Sequence, residues 1–277
     1  MSLTDSVLRP TIPEGPDVQR SADLITSRLK PANEWLYFVD IYKYGNRFDE
    51  VDVSQCIPAL NQRLLNFFCK GKEYFFFLSN NVAISSHHKM EGYWWFGQPE
   101  DMRHVHFRLD FCHEPNHLSP DVISLYFINT RLGEFQVFTN HQAVIEKVNR
   151  IAPGFIGQFI LTKEAWLTGL ASLKPTSVLW DVVTDQKKLC SGIGNYLRAE
   201  IFWHAKIHYS TTIGQISIEE RLWLYDVFSF VVNGFYRKTL QMVIYQRKIS
   251  PNGNPIVCEK SKGKQTIWYA PIDQPVR

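Results

Sequence analysis

Apolar positions follow a helical period at the start of the chain and again in its second half, and alternate in between. Residues 17–30 place Val18, Ala22, Ile25 and Leu29 on one face of a helix, with Pro16 where a first helical turn tolerates proline. Strand patterns then dominate to about residue 140: 73–78 and 81–88 are aromatic and β-branched. Residues 104–111 alternate strictly, with Val105, Phe107, Leu109 and Phe111 on one face and His104, His106, Arg108 and Asp110 on the other. Two further short runs, 124–130 and 133–138, complete a series that predicts a β-sandwich. The aromatic run Tyr93–Phe96 fits the core of that sandwich better than a base-stacking platform.

The second half reads differently. Gly154 and Gly157 lie near a boundary, and short helices are expected over 162–174, 178–188 and 196–206. Ser217 with Glu220 forms a capping box that opens a long helix carrying Leu222, Leu224, Val227, Phe228, Val231 and Phe235. The stretch 243–250 and the segment from Pro255 to Tyr269 read as a basic β-hairpin.

Length and composition narrow the class. A chain of 277 residues with 45% hydrophobic and 21% charged residues is globular and long enough for about two domains. No apolar run reaches the roughly 18 residues that span a bilayer, and residues 1–12 lack the pattern of a secretory signal, so no membrane partner is expected. The five cysteines (56, 69, 112, 190 and 258) are scattered, which argues against a disulfide framework and a cysteine-rich zinc site. Charge is unevenly spread: Gln186–Arg277 holds 13 Lys+Arg and 6 Asp+Glu, whereas the preceding residues hold 17 and 21. A basic C-terminal part fits a polyanion partner or a merely solvated basic surface about equally.

Three strings carry chemistry. In Gly192-Ile-Gly-Asn-Tyr-Leu-Arg-Ala-Glu200, two glycines precede a helix whose free N–H groups favour an anion, and Asn195 adds a side-chain donor: the layout of a phosphate clamp. Pro13-Glu-Gly-Pro-Asp17 leads directly into the first helix. Gly71-Lys72 precedes an apolar strand and is followed by His87-His-Lys-Met-Glu-Gly92. Taken singly, each has an ordinary structural reading: a solvated edge lysine at 72, a core methionine at 90, a first-turn helix charge at 14.

In this order and spacing, from residue 13 to about 275, the strings resemble the formamidopyrimidine-DNA glycosylase/endonuclease VIII (Fpg/Nei) family of base-excision repair enzymes, and the endonuclease VIII branch more than the 8-oxoguanine branch. The resemblance implies an α+β fold. Its expected parts are an N-terminal extension over 1–12, a β-sandwich catalytic domain with flanking helices over 13–145, a helix–two-turn–helix DNA-binding domain over 146–240 and a zincless finger hairpin over 241–277. It implies a glycosylase/abasic-site lyase that removes oxidised bases, pyrimidines favoured, through a proline Schiff base and β,δ-elimination. Pro13 matches the nucleophile, Glu14 the general acid/base, Lys72 a lysine that assists at the sugar and its phosphate, Gly194 and Asn195 the phosphate clamp, and Met90 the residue that fills the gap left by an everted nucleotide. The implied partner is damaged or abasic DNA, whether duplex, bubble or single-stranded. The protein would act inside the cell, as a monomer and without a cofactor.

An N-terminal proline suits this chemistry, because an α-amino group has a pKa of about 7.7–8.0 against about 10.4 for lysine, so far more of it is a neutral nucleophile at pH 7. The sequence departs from the family here. Twelve residues precede Pro13, whose nitrogen is therefore an amide with a delocalised lone pair. A Schiff base requires a mature start at Pro13; the alternative is a catalytically silent relative that binds damaged DNA. Retention of Glu14, for which the sequence shows no structural necessity, favours the active form.

Two other departures stand out. In Trp268-Tyr-Ala-Pro-Ile-Asp-Gln274, Ala270 and Asp273 occupy the family's cysteine positions, so no zinc or other metal is expected. The family's finger arginine falls on Gln265, with Lys262 and Lys264 near enough to replace it in DNA binding. The loop Thr130-Arg-Leu-Gly133 is one residue short and lacks the family's wedging phenylalanine, which points toward bubble, single-stranded or already abasic DNA.

Overall fold

The computed structural model describes residues 13–115, 121–260 and 266–276. The chain divides into two compact units, one holding Pro13 and Asp17–Arg150, the other Glu14–Pro16 and the chain from Ile151 onward.

Helix α1 (Gly15–Leu29), which belongs to the first unit from Asp17 onward, has its predicted face of Val18, Ala22, Ile25 and Leu29 buried. Two antiparallel sheets follow. One has the order β2 (Gln62–Arg63), β1 (Tyr37–Lys43), β7 (Val105–Cys112), β8 (Ile123–Arg131), β6 (Glu91–Phe96). The other has the order β3 (Asn66–Lys70), β4 (Glu73–Phe77), β5 (Ala83–His87), β9 (Glu134–Phe138). Aromatic side chains from both sheets fill the space between them: Phe107 stacks on Phe135 with centroids 3.7 Å apart, and Phe76 meets Trp94 edge-on at 5.4 Å. Helix α2 (His141–Arg150) buries Val144 and Val148, and the buried Lys70 ammonium donates to the Val148 carbonyl in its last turn at 3.0 Å.

Two features of the alternation differ from expectation. Phe107, Leu109 and Phe111 line the core, but the register slips between Val105 and Phe107, and Val105 joins a separate cluster with Tyr126 and Ile128. A bulge of this kind turns one side chain to the opposite face. The aromatic run also splits by strand alternation. Trp94 enters the core, while Tyr93 and Trp95 pack on that second cluster on the other face of the sheet.

The second unit is helical: α3 (Lys163–Ala171), α4 (Leu179–Val182), α5 (Asn195–His204) and α6 (Ile218–Tyr236), followed by the hairpin β10 (Val257–Lys260)–β11 (Thr266–Tyr269). Phe155, Trp166, Tyr225 and Phe228 form its aromatic centre. The capping box is realised: the Glu220 amide donates to Ser217 Oγ at 3.2 Å and the Ser217 amide to Glu220 Oε2 at 2.8 Å. The helix expected over 178–188 stops at Val182, because Gln186 is drawn away. Its carbonyl accepts from the Ala152 amide, and its side chain bonds Gly192 and Ile193. The hairpin is shorter than predicted, since 243–250 forms no strand. The amides of Val243, Ile244 and Tyr245 instead converge on the fully buried Glu200 carboxylate at 2.8–3.1 Å. Burial raises the pKa of Glu200 while these amides oppose the rise.

Candidate active site

The second unit brings together Glu14, Gly194 and Asn195. Gly194 is the N-cap of α5 and has no side chain with which to cap it. The cap comes from 180 residues away: the Glu14 carboxylate, 1% exposed, accepts from the amides of Gly194 (3.1 Å), Tyr196 (2.9 Å) and Leu197 (3.1 Å). The neighbouring amide of Gly15 donates to the Gly192 carbonyl at 2.8 Å, and a Cβ at Gly15 would lie 2.9 Å from the Gly192 backbone. Glycine is therefore required for this approach. These contacts correct two expectations. Glu14 has a structural role, and the helix-start N–H groups read as a phosphate cradle are occupied by a carboxylate of the chain itself. The Asn195 side chain takes no part in this cap; its Oδ1 accepts from Arg198 Nη2 at 2.8 Å. Pro13 is buried beside this anchored glutamate.

Lys72 and Met90 belong to the first unit. Lys72 is half-buried at the start of β4, close enough to His87 to act on its titration. Burial, with Lys72 and Lys89 beside it, pushes the His87 imidazole down to about 4, so it is neutral at pH 7. Its Nδ1 accepts from the Lys89 amide at 2.9 Å, which leaves the proton on Nε2. The sequence displayed His87 within its motif but assigned it no task; only the fold reveals its nearness to Lys72.

Met90 sits on the β5–β6 turn, 58% exposed. The β8–β9 turn beside it carries Leu132, 66% exposed, a residue that the sequence reading passed over. Buried Asn129 stitches the two turns: its Nδ2 donates to the carbonyls of His88 (2.9 Å) and Glu91 (2.6 Å), and its Oδ1 accepts from the Gly133 amide (2.9 Å). Gly92 and Gly133 make room for that carboxamide, since a Cβ at either would come within 2.4 Å of it. The shortened loop thus still presents an apolar side chain next to Met90. No signal for this was available without the pairing of the turns.

At the finger, Lys262, Lys264 and Gln265 lie outside the described residues. Ala270 is fully buried, and its amide donates to Gln274 Oε1 at 2.9 Å, while Gln274 Nε2 donates to the Ile207 carbonyl. Asp273 accepts from Trp203 Nε1 (2.9 Å), Asn252 Nδ2 (3.1 Å) and Asn254 Nδ2 (2.6 Å). A methyl group at 270 and a carboxylate committed to three donors at 273 are not a soft ligand pair of the kind that binds zinc. Among the described residues no three His, Cys, Asp or Glu side chains gather in a way that could hold a metal ion, and no helix is long and apolar enough to cross a membrane.

No family profile matches the chain. It is similar to Endonuclease 8 of Enterobacter sp. (strain 638), 22% identical over 217 residues that cover 76% of this chain and 74% of that protein. It is similar also to Endonuclease 8 of Salmonella typhi, 24% identical over 200 residues, covering 69% and 67%. Among solved structures it superposes on a MutM complex with DNA containing carbocyclic 8-oxo-G (TM-score 0.76, 17% identity). It superposes likewise on the Lactococcus lactis Fpg bound to DNA with an abasic site (TM-score 0.74, 17% identity), each match covering 95% of this chain and the whole of the other. The fold is therefore that of the Fpg/MutM enzymes, an α+β arrangement of N-terminal β-sandwich, helices and C-terminal β-hairpin. The likeness to Endonuclease 8 runs through about three quarters of the sequence.

Proposed function

We propose that this protein is a DNA glycosylase with abasic-site lyase activity, acting in base-excision repair on oxidised bases, pyrimidines favoured. The observation that supports it best is the anchoring of Glu14. Three backbone amides fix the carboxylate of the residue that follows Pro13 in the chain, so a proline amine freed at that position would have a held proton-transfer group as its neighbour in sequence. In this reading Pro13 attacks C1′ of an everted nucleotide, Glu14 moves protons at the ring oxygen and the leaving base, and Lys72 contacts the sugar and its phosphate with neutral His87 nearby. Asn195 belongs to the clamp on the flanking DNA backbone, with the Gly194 amide spent on Glu14, and Lys262, Lys264 and Gln265 belong to the finger's contact with it. Met90 and Leu132 fill the gap in the duplex, which offsets the few kcal/mol needed to extrude a base. The endonuclease VIII-like motifs of the sequence favour pyrimidine lesions, and the exposed Met90 and Leu132 favour a duplex substrate.

In the chain as it stands, Pro13 is in amide linkage, which favours as second reading a relative that binds damaged DNA without cleaving it. Borohydride trapping on an oligonucleotide with one abasic site, comparing the full chain with a chain that begins at Pro13, separates the two. A covalent adduct restricted to the Pro13 start is the expected result. Tight binding with no adduct from either form would overturn the lyase reading in favour of the second.

A further inference from the structure

Arg198 is the one charged side chain of the Gly192–Glu200 string, Glu200 aside, to which neither reading gives a task. It is 1% exposed, and a buried guanidinium is costly unless its donors are used. One terminal nitrogen donates to the Trp180 carbonyl at 3.1 Å and lies within 3.4 Å of Thr184 Oγ1. The guanidinium also rests on the Trp180 ring, 4.1 Å from its centroid. The other terminal nitrogen, Nη2, donates to Asn195 Oδ1 at 2.8 Å. Burial lowers its pKa to about 10, with Asp181 and Glu14 opposing, and at neutral pH it stays charged.

A guanidinium has donors only. The atom of the Asn195 carboxamide that faces Arg198 must therefore be the oxygen, and the NH2 group must point away from it. The Asn195 carboxamide also shares a side-chain hydrogen bond with the Tyr245 hydroxyl. The flip of the carboxamide is set by Arg198 alone, because a tyrosine hydroxyl both donates and accepts.

We infer that Arg198 is a positioning residue for the DNA-backbone clamp: it fixes the flip and rotamer of Asn195 so that the amide NH2 is presented to a phosphate oxygen. This rests on the reading of Asn195 as a phosphate donor. An amide free to rotate offers its oxygen as often as its nitrogen, and an oxygen repels a phosphate. The i, i+3 spacing of the two residues on α5 puts them on the same helix face, so the relationship is built into one turn of helix.

A double-mutant cycle on the full chain tests it, with fluorescence anisotropy of a duplex carrying a tetrahydrofuran abasic analogue as the measurement. Asn195→Ala and Arg198→Met should each weaken binding by about tenfold, and the double variant should bind no more weakly than Asn195→Ala alone. Arg198→Lys keeps the charge over Trp180 while losing the planar fork. It should melt close to the parent and still bind several-fold more weakly, which a purely structural role would not produce. If the loss at Arg198 adds in full to that of Asn195→Ala, or if Arg198→Lys binds like the parent, the positioning role is overturned while the clamp stands. If Asn195→Ala binds like the parent, the clamp reading falls and the inference with it.

Discussion

Glu14 Oε1 accepts a hydrogen bond from the Tyr196 amide at 2.9 Å, joining residues 182 positions apart in the chain. One carboxylate thus holds the start of α5. Removing it has a stability cost distinct from any chemical one. Glu14→Ala leaves three buried amides without their acceptor and should destabilise the protein by about 1–3 kcal/mol. Glu14→Gln, which keeps an acceptor but loses the charge, should cost less than Glu14→Ala. Urea denaturation at pH 7 reads both; an unchanged midpoint for Glu14→Ala would show that the cap contributes nothing.

Met90 and Leu132 lie exposed on adjacent turns that Asn129 holds together. If both enter the duplex, each loses an apolar surface worth about 1.5–3 kcal/mol when it is truncated. Met90→Ala with Leu132→Ala should weaken binding to duplex abasic DNA by at least about tenfold and leave binding to a single-stranded abasic oligonucleotide nearly unchanged. Equal losses on both substrates would rule out gap filling.

Asp273 is held at a pKa of about 2: its burial favours the neutral form, but hydrogen bonding to Ser250, Trp203, Asn252 and Asn254 outweighs this. A carboxyl depressed in the fold contributes stability that is complete above the ordinary carboxylate range, near pH 4, and lost as pH falls toward 2. Asp273→Asn should therefore be less stable than the parent at pH 7, and the gap should close between about pH 4 and pH 2. A gap of constant size across that range would mean that the charge is immaterial.

The same network leads to an expectation about metal. Incubation with a chelator should leave the melting temperature of the full chain unchanged, and elemental analysis should find no stoichiometric zinc. One zinc per chain, with loss of stability on its removal, would overturn the zincless assignment of the finger.

His88 is buried among Tyr74, Trp94 and Phe127, and among the described residues neither of its ring nitrogens has a hydrogen-bond partner. Burial, with His87 nearby, pushes its pKa down to about 3. A histidine depressed in the fold resists protonation that the unfolded chain accepts, so stability is complete above about pH 6.5 and declines as pH falls toward 3. His88→Leu should remove that decline and raise stability at pH 5 more than at pH 7, as measured by urea midpoints at the two values. A pH-independent difference would show that the imidazole does not titrate with unfolding.

The local periods of the sequence determined much of the fold. The buried face of α1, the strands of the sandwich and the Ser217–Glu220 cap of α6 were legible because each is set by residues within one or two turns of one another. The strings at residues 13–17 and 192–200 were legible as well, as motifs. Their connection was not. Sequence spacing offers helix amides to an anion in general; the tertiary structure decided that this anion is Glu14. It likewise decided that the 243–250 segment wraps Glu200 instead of pairing as a strand, that a bulge turns Val105 away from the core, and that Asp273 is tied to Trp203. In each case a buried polar group takes the partner the completed fold brings within about 3 Å. Distances of that kind between residues far apart in the chain leave no period in the sequence to read.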